Sequence, residues 1–367
     1  MEILITPVET SIQADFCIIE DFDNLFRLTK YISLLEEVDK ISIVGINANR
    51  FYERTIKEIL TCVKPGQLVG FFIRDNQYLT WFGLKSVIET LFPGQFSLTE
   101  QEISGTAHYL CYKRTTEAPK YLTEPNTGWT FGMLTLGKRK SSVEKYIESI
   151  YKQKVNNFEI LMIVPRKLDW LETYPNVKQI EFSEKDDIGW ITRKKNIICE
   201  NSRFSDILIC HDRFYLADTF ISDFEKWGYH YSIAVPKVFV PKLGMRGLDW
   251  AVVSSENHAW SQGGLLNYRA YSRFAYTPGG ATIIRKSAWE KYPWNENLYW
   301  NEHEDVEMSR RMQRDGEVIM LADVLVYAED DRWATQNQVL DYDEDWEVLI
   351  EPPVGQNRIR YIPYQGR

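Results

Sequence analysis

The sequence predicts an α/β protein, with an open α/β sheet in its larger, downstream part and a smaller α/β domain before it. Three observations carry that prediction. From Trp129 onward, apolar strand-like runs alternate with segments of helical period. A second strand–helix alternation runs from Val38 to Tyr112. Between the two, Thr115 to Gly128 has two prolines, mostly polar residues and no sustained period, which marks a joint. The domains are therefore expected at residues 1–118 and 126–335, with an acidic C-terminal extension at 336–367. That extension is read from composition: Trp333 to Asn357 holds six acids and no Lys or Arg.

Upstream of the joint, the pattern predicts strands at 38–46, 67–73 and 108–112 and helices at 51–62 and 79–92, with a turn at Lys64-Pro-Gly66. With Val63-Lys-Pro-Gly-Gln-Leu-Val69 at its centre, this order resembles the back half of a class I methyltransferase. The front half is not expected. No Gly-x-Gly follows an early strand, and the 38 residues before Asp39 are too few for the usual cofactor site. No S-adenosylmethionine is expected, and a scaffold or partner-docking role fits better than catalysis.

Downstream, Trp129 to Leu136 reads as a strand and Gly137 to Lys140 as a loop. Ser141-Ser-Val-Glu144 has the spacing of a capping box, with Val143, Tyr146, Ile147, Ile150 and Tyr151 on one helical face. Phe158–Val164, Val177–Phe182 and Asp206–Cys210 read as strands, and Gly189–Asn201 as a helix. Leu243 to Tyr276 reads as a long irregular region. Open α/β sheets bind ligands at the carboxyl ends of their strands, so polar residues at those ends are the functional candidates.

Composition narrows the class. The chain has 367 residues, 44% hydrophobic and 26% charged, in the range of globular proteins. Its net charge of −9 opposes nucleic acid or anionic lipid as a main partner. Five cysteines without a CxxC pair indicate neither a disulfide framework nor a zinc site. No stretch has the length of a membrane span and the start lacks a signal-peptide pattern, which predicts a cytoplasmic protein.

The richest segment is Trp300 to Arg311, where Glu302, Glu304 and Asp305 crowd the start of a helix that continues through Val306, Ser309 and Met312 to Gly316. Two readings stand: acids that cap the helix and offset its dipole, or a carboxylate beside apolar rings that takes a proton from a hydroxyl. At the end of Asp206–Cys210, Asp212 either opens a turn or holds a divalent cation or a ribose. Arg193 and Asn196, three apart on one helix face, either form an exposed salt-bridging face or reach a phosphate. Among the aromatics of 243–276, Trp260 and Tyr268 are candidates for stacking on a sugar, against a core-packing alternative.

Together these residues resemble the GT-A domain of the family 2 type of nucleotide-sugar glycosyltransferases, from about residue 128 to 330. The matching stretches are the Thr135–Lys140 loop and its helix, the strand Asn157–Val164, Arg193-Lys-Lys-Asn196, Cys210-His-Asp-Arg213, Pro278-Gly-Gly-Ala-Thr-Ile-Ile-Arg285 and Glu304-Asp305. The resemblance implies a GT-A fold with a Rossmann-like mixed sheet and inverting transfer from a nucleotide-diphosphate sugar. It implies that Asp305 is the base, with Glu304 orienting it or holding the acceptor. Thr135, Arg193, Asn196, Asp212, Gly279 and Gly280 would bind the donor, and Trp260, Tyr268 and Glu302 the acceptor. A glycan or lipid-linked acceptor and glycan-synthesis protein partners follow from the same resemblance.

The departures carry as much meaning. Arg213 stands where the second acid of Asp-x-Asp belongs, so Asp212 is the one metal ligand left there for Mn²⁺ or Mg²⁺. Val324 to Asp330 lacks the expected histidine, with Glu329 or Asp330 as substitutes or Arg213 as a replacement for the metal charge. A second class of function stands beside the enzyme: a degenerate sugar-binding or assembly subunit of a glycan-synthesis complex.

Overall fold

The computed structural model describes residues 1–7, 12, 14–20, 22–35, 37–47, 52–117, 119–183, 189–253, 264–330, 339–340 and 361–362. The chain divides into a first unit of Met1–Thr123, Tyr268–Tyr271 and Asp315–Val318 and a second of Glu124–Asn267, Ser272–Arg314 and Ile319–Arg367. The long break at Thr123 falls inside the proline-bearing stretch.

The first unit contains β1 (Glu2–Thr6), β2 (Phe16–Ile19), α1 (Ile32–Leu35), β3 (Lys40–Val44), α2 (Tyr52–Cys62), β4 (Leu68–Arg74), α3 (Trp81–Leu91), β5 (Phe96–Ser104), β6 (Ala107–Arg114) and α4 (Lys120–Thr123). Its sheet runs β2-β1-β3-β4-β6-β5, parallel through β4 and antiparallel beyond. Ile41, Ile43, Val69, Phe71 and Leu110 from the strands and Ile56, Ile59 and Leu60 from α2 belong to one buried cluster. The Arg114 guanidinium donates to the Leu60 and Val63 carbonyls at 2.6 and 3.0 Å, satisfying acceptors at the end of α2. β1 and β2 precede residue 38, where no strand was read from the sequence, and β5 is a further strand that periodicity missed. β5 shows no alternation because it is an edge strand exposed at nearly every position.

The second unit runs β7 (Trp129–Leu134), α5 (Lys140–Tyr151), β8 (Phe158–Val164), β9 (Val177–Glu181), α6 (Ile191–Asn201), β10 (Asp206–His211), β11 (Phe214–Leu216), α7 (Phe220–Trp227) and β12 (Ile233–Val240). Short strands β13 (Met245–Arg246), β14 (Ala251–Val252), β15 (Gly264–Leu266) and β16 (Ala275–Tyr276) follow, then β17 (Ala281–Arg285), α8 (Lys286–Lys291), α9 (Glu304–Arg314), β18 (Met320–Ala328), β19 (Val339–Leu340) and β20 (Tyr361–Ile362). Its main sheet has the order β11-β18-β12-β17-β10-β7-β8-β9 and is mixed: β17 is antiparallel to both β10 and β12. The α/β class and mixed sheet expected from the sequence are thus present. Every residue of β7 is buried, which explains its unbroken apolar run. A Cβ at Gly132 would lie 2.6 Å from Ile198, so this glycine lets α6 pack directly on β7.

Two expectations are corrected here. The capping box does not form: α5 starts at Lys140 after Arg139, with no side-chain cap, and the Ser142 hydroxyl bonds the Glu329 carboxylate instead. The region 243–276 is not irregular throughout, since β14, β15 and β16 form a small sheet with β19 and β20. Trp250, Phe274 and Tyr276 are buried there, as core packing requires. Most of the acidic extension lies outside the described residues. Among the described residues, no helix is long and apolar enough to cross a membrane.

The sheet is anchored by a buried charge cluster. Arg285 Nη1 donates to both Asp206 oxygens, at 2.8 and 2.7 Å, and neither residue is exposed. Tyr231, Ser205 and Asn126 each donate to the same carboxylate at 2.7 Å, so its lone pairs are satisfied. Asp206→Ala strands the buried guanidinium and should lower stability by about 3–5 kcal/mol. Urea unfolding checks this, and a loss below about 1 kcal/mol would show that the charge is carried by other partners.

Candidate active site

β7, β8 and β10 run parallel, so their carboxyl ends share one edge of the sheet, and antiparallel β17 begins at that same edge. Cys210 pairs with Ala281, and His211 N donates to Gly280 O at 3.1 Å. This register sets Gly279 and Gly280 beside the Asp212 loop. Thr135, just past β7, donates its hydroxyl to Asp212 Oδ2 at 2.8 Å while accepting from Gly137 N at 3.0 Å. The hydroxyl is thereby aimed at the carboxylate.

The end of β18 reaches the same edge. Glu329 N donates to Arg213 O at 2.8 Å; Lys145 lies 3.6 Å from the Glu329 carboxylate. Asp330 accepts from Arg139 at 2.8 Å and lies 3.8 Å from Arg213. Among the described residues, no group of three His, Cys, Asp or Glu comes together as a metal cage. Mg²⁺ and Mn²⁺ are hard ions that also bind through one carboxylate plus substrate phosphates. Asp212 fits that second arrangement, whereas Glu329 and Asp330 are engaged by cations.

The acid cluster is reached through a constrained turn. Asn301 and His303 have φ of 70° and 60°, left-handed values uncommon for residues with a side chain. Tyr299 N donates to Glu302 Oε2 at 2.9 Å, and Trp300 N to Gly189 O at 2.9 Å. α9 then starts at Glu304. Asp305 Oδ1 accepts from Val306 N at 2.8 Å, and its Oδ2 accepts from Gly279 N at 2.9 Å. Ser309 donates to Asp305 O at 2.7 Å and accepts from Thr277 N at 3.1 Å, tying α9 to the start of β17.

Glu304 is buried and pairs with buried Lys195 of α6 at 3.2 Å. Burial, then the neighbouring Glu304 charge, pushes the Asp305 carboxyl up to about 6, against the Lys195 charge and the Gly279 and Val306 N–H groups. At pH 7 a group at that value is about nine-tenths ionised, able to accept a proton and to return it readily. Gly279 is required by space. A Cβ there would lie 2.7 Å from Glu304 Oε1 and 3.1 Å from Lys195 Nζ.

The structure thus gathers Thr135 with Asp212, and Gly279 with Glu304 and Asp305, at one sheet edge. Arg193 and Asn196 bond elsewhere. Arg193 is held by Glu200 and, at 3.0 Å, by Glu296. The Asn196 amide donates to Trp294 O and Glu296 and accepts from Trp289 Nε1 and Trp294 N, all at 2.9–3.0 Å. Both side chains hold the segment that leads into the acid turn. Glu302 is exposed and folded onto its own turn. Tyr268 belongs to the first unit, where its carbonyl accepts from Asn24 at 3.0 Å. Trp260 lies outside the described residues.

Lys195 was not among the residues read from sequence. A signal for it was present: it lies four residues after Ile191 and three and four before Ile198 and Cys199, on the buried face of α6. A lysine on an apolar helix face needs a buried partner.

No protein-family profile and no curated protein matches the sequence. Among solved structures, the chain is similar to S. aureus TarS 1-349, at 13% identity and a TM-score of 0.40 over 55% of this chain and 60% of that one. The same protein in complex with UDP matches at 15% identity and a TM-score of 0.41, over 61% and 64% of the two chains. GalNAc-T7 with UDP, GalNAc and Mn²⁺ matches at 13% identity and a TM-score of 0.44, over 56% and 44%. This chain therefore spans less than two thirds of each of those chains.

Proposed function

We propose that the second unit is an inverting glycosyltransferase that moves a sugar from a nucleotide-diphosphate sugar to a hydroxyl of a glycan or lipid-linked acceptor, in the synthesis of a surface or secreted glycan. The observation that carries this reading is Asp305, a partly buried carboxyl raised to about 6 and fixed by Gly279 N, just before the strand that pairs with β10 beside Asp212. In this mechanism Asp305 takes the proton of the acceptor hydroxyl. The hydroxyl oxygen attacks the anomeric carbon, and the bond from that carbon to the donor phosphate breaks on the opposite face, leaving the electron pair on the diphosphate. Glu304 orients Asp305. Thr135, Asp212, Gly279 and Gly280 line the donor side. A bound Mg²⁺ or Mn²⁺, held by Asp212 and the diphosphate, would supply charge that stabilises the leaving nucleotide. Glu302, Tyr268 and Trp260 remain the acceptor candidates, and the first unit serves as scaffold or docking surface without S-adenosylmethionine.

Incubating the full chain with a panel of nucleotide-diphosphate sugars, with and without Mn²⁺, and following nucleotide release tests the reaction. Asp305→Asn should cut turnover by about 10² to 10⁴ and leave nucleotide affinity intact. Normal turnover in that variant would sink the assignment, and nucleotide binding without turnover in the wild type would favour the non-catalytic subunit.

The pH dependence has a defined sign. Asp305 must be ionised to accept the proton, so kcat should rise with pH through about 6 and level off above 7. A rate that is flat from pH 5 to 8 would exclude it as the base.

Asp212→Ala should weaken donor binding by about 1–3 kcal/mol, as expected when a polar partner of the donor is removed. Unchanged affinity by calorimetry would return Asp212 to a turn role.

A further inference from the structure

Lys195 has an unusual position for a lysine. Its side chain is 1% exposed, its ammonium lies 3.2 Å from Glu304 Oε1, and it sits 5.4 Å from the centre of the Trp294 ring. It is also 3.1 Å from the point where a Cβ at Gly279 would be, so the cation, the glycine and the acid pair share one small space. Two adjacent carboxylates at a helix start repel each other, and a cation held beside them offsets that repulsion.

We propose that Lys195 is a positioning residue, whose buried ammonium holds Glu304 against Gly279 and sets a positive charge beside Asp305. This rests on the reading of Asp305 as the base. The charged and titratable groups around Asp305 are few. Glu304 adjoins it on α9, Lys195 faces it from α6, and buried Tyr276 on β16 interacts electrostatically with Asp305, Glu304 and Arg310. Arg310 is turned toward the Arg273 and Phe274 carbonyls, at 3.2 and 3.1 Å. Lys195 is the cation that acts on Asp305 directly and opposes its protonation.

The test uses the full chain and two readouts. The first is the titration of Asp305 itself, followed by carboxyl ¹³C NMR and assigned by difference from Asp305→Asn, which does not depend on turnover. Replacing the ammonium in Lys195→Met should move the Asp305 midpoint alkaline by about one pH unit or more, and Lys195→Arg should restore it toward the wild-type value. Glu304→Gln should move it the other way, toward acid, since it removes the like charge. The second readout is the acid limb of the pH–rate profile, which should shift in step, with kcat at pH 7 falling about twofold in Lys195→Met for a shift of one unit, about tenfold for two, and recovering at higher pH. A midpoint that is unmoved in Lys195→Met overturns the proposal, as does a rate loss equal at every pH. If Lys195→Met fails to fold, an unmoved midpoint in Glu304→Gln overturns it equally. A wild type that transfers no sugar refutes the transferase reading but leaves the NMR midpoints to decide the role of Lys195.

Discussion

The buried ion pair between Arg285 and Asp206 is the constraint on which the site depends. The two residues are register partners at one end of β10 and β17, and their burial makes any other pairing of these strands leave a charge without a partner. Because the register is held there, Ala281 stands opposite Cys210 at the other end, and Gly279–Gly280 meets the Asp212 loop. A slip of one residue would turn every side chain of β17 to the other face. The residues at the edge are thus positioned from the opposite end of the strands.

α6 is the second carrier of the geometry. Gly132 lets it lie close on β7, and from there it reaches in two directions. Arg193 and Asn196 grip the 289–296 segment, and Lys195 enters the interior to meet Glu304. The turn before α9 is therefore held from several sides, which allows Asn301 and His303 to stay in left-handed conformations that cost about 1 kcal/mol or more each. Helix capping and acid chemistry need not compete here. One Asp305 oxygen caps its own helix start and the other is bound by Gly279.

Charge is handled differently along the edge. At Asp305, burial and the Glu304 charge outweigh the Lys195 charge, so the acid rises toward neutrality. Around Asp212, Glu329 and Asp330 the cations Arg139, Arg213 and Lys145 are more exposed and interleaved with the acids. The first arrangement suits proton transfer; the second suits the recognition of a charged, solvated group.

Much of this was legible in the sequence. The α/β alternation, the strands Phe158–Val164 and Asp206–Cys210 and the helix that starts in the acid cluster follow from local periodicity and turn chemistry, which the chain carries without reference to distant residues. Thr135 entered only through the family resemblance, and its contact with Asp212 was not read from the sequence. Strands β2 and β5 were not visible because so few buried positions leave no period to read, and β1 because it is a short, almost wholly buried run without alternation. The small sheet of two- and three-residue strands escaped for the same reason. The capping box misled because α5 starts at Lys140, which puts Ser141 inside the first turn and not at the cap. Periodicity determined which residues form strands and helices. Only the tertiary structure decided that Lys195 meets Glu304 and that Gly279 binds Asp305, because burial and pairing join residues 109 and 26 positions apart, beyond the range of any local pattern.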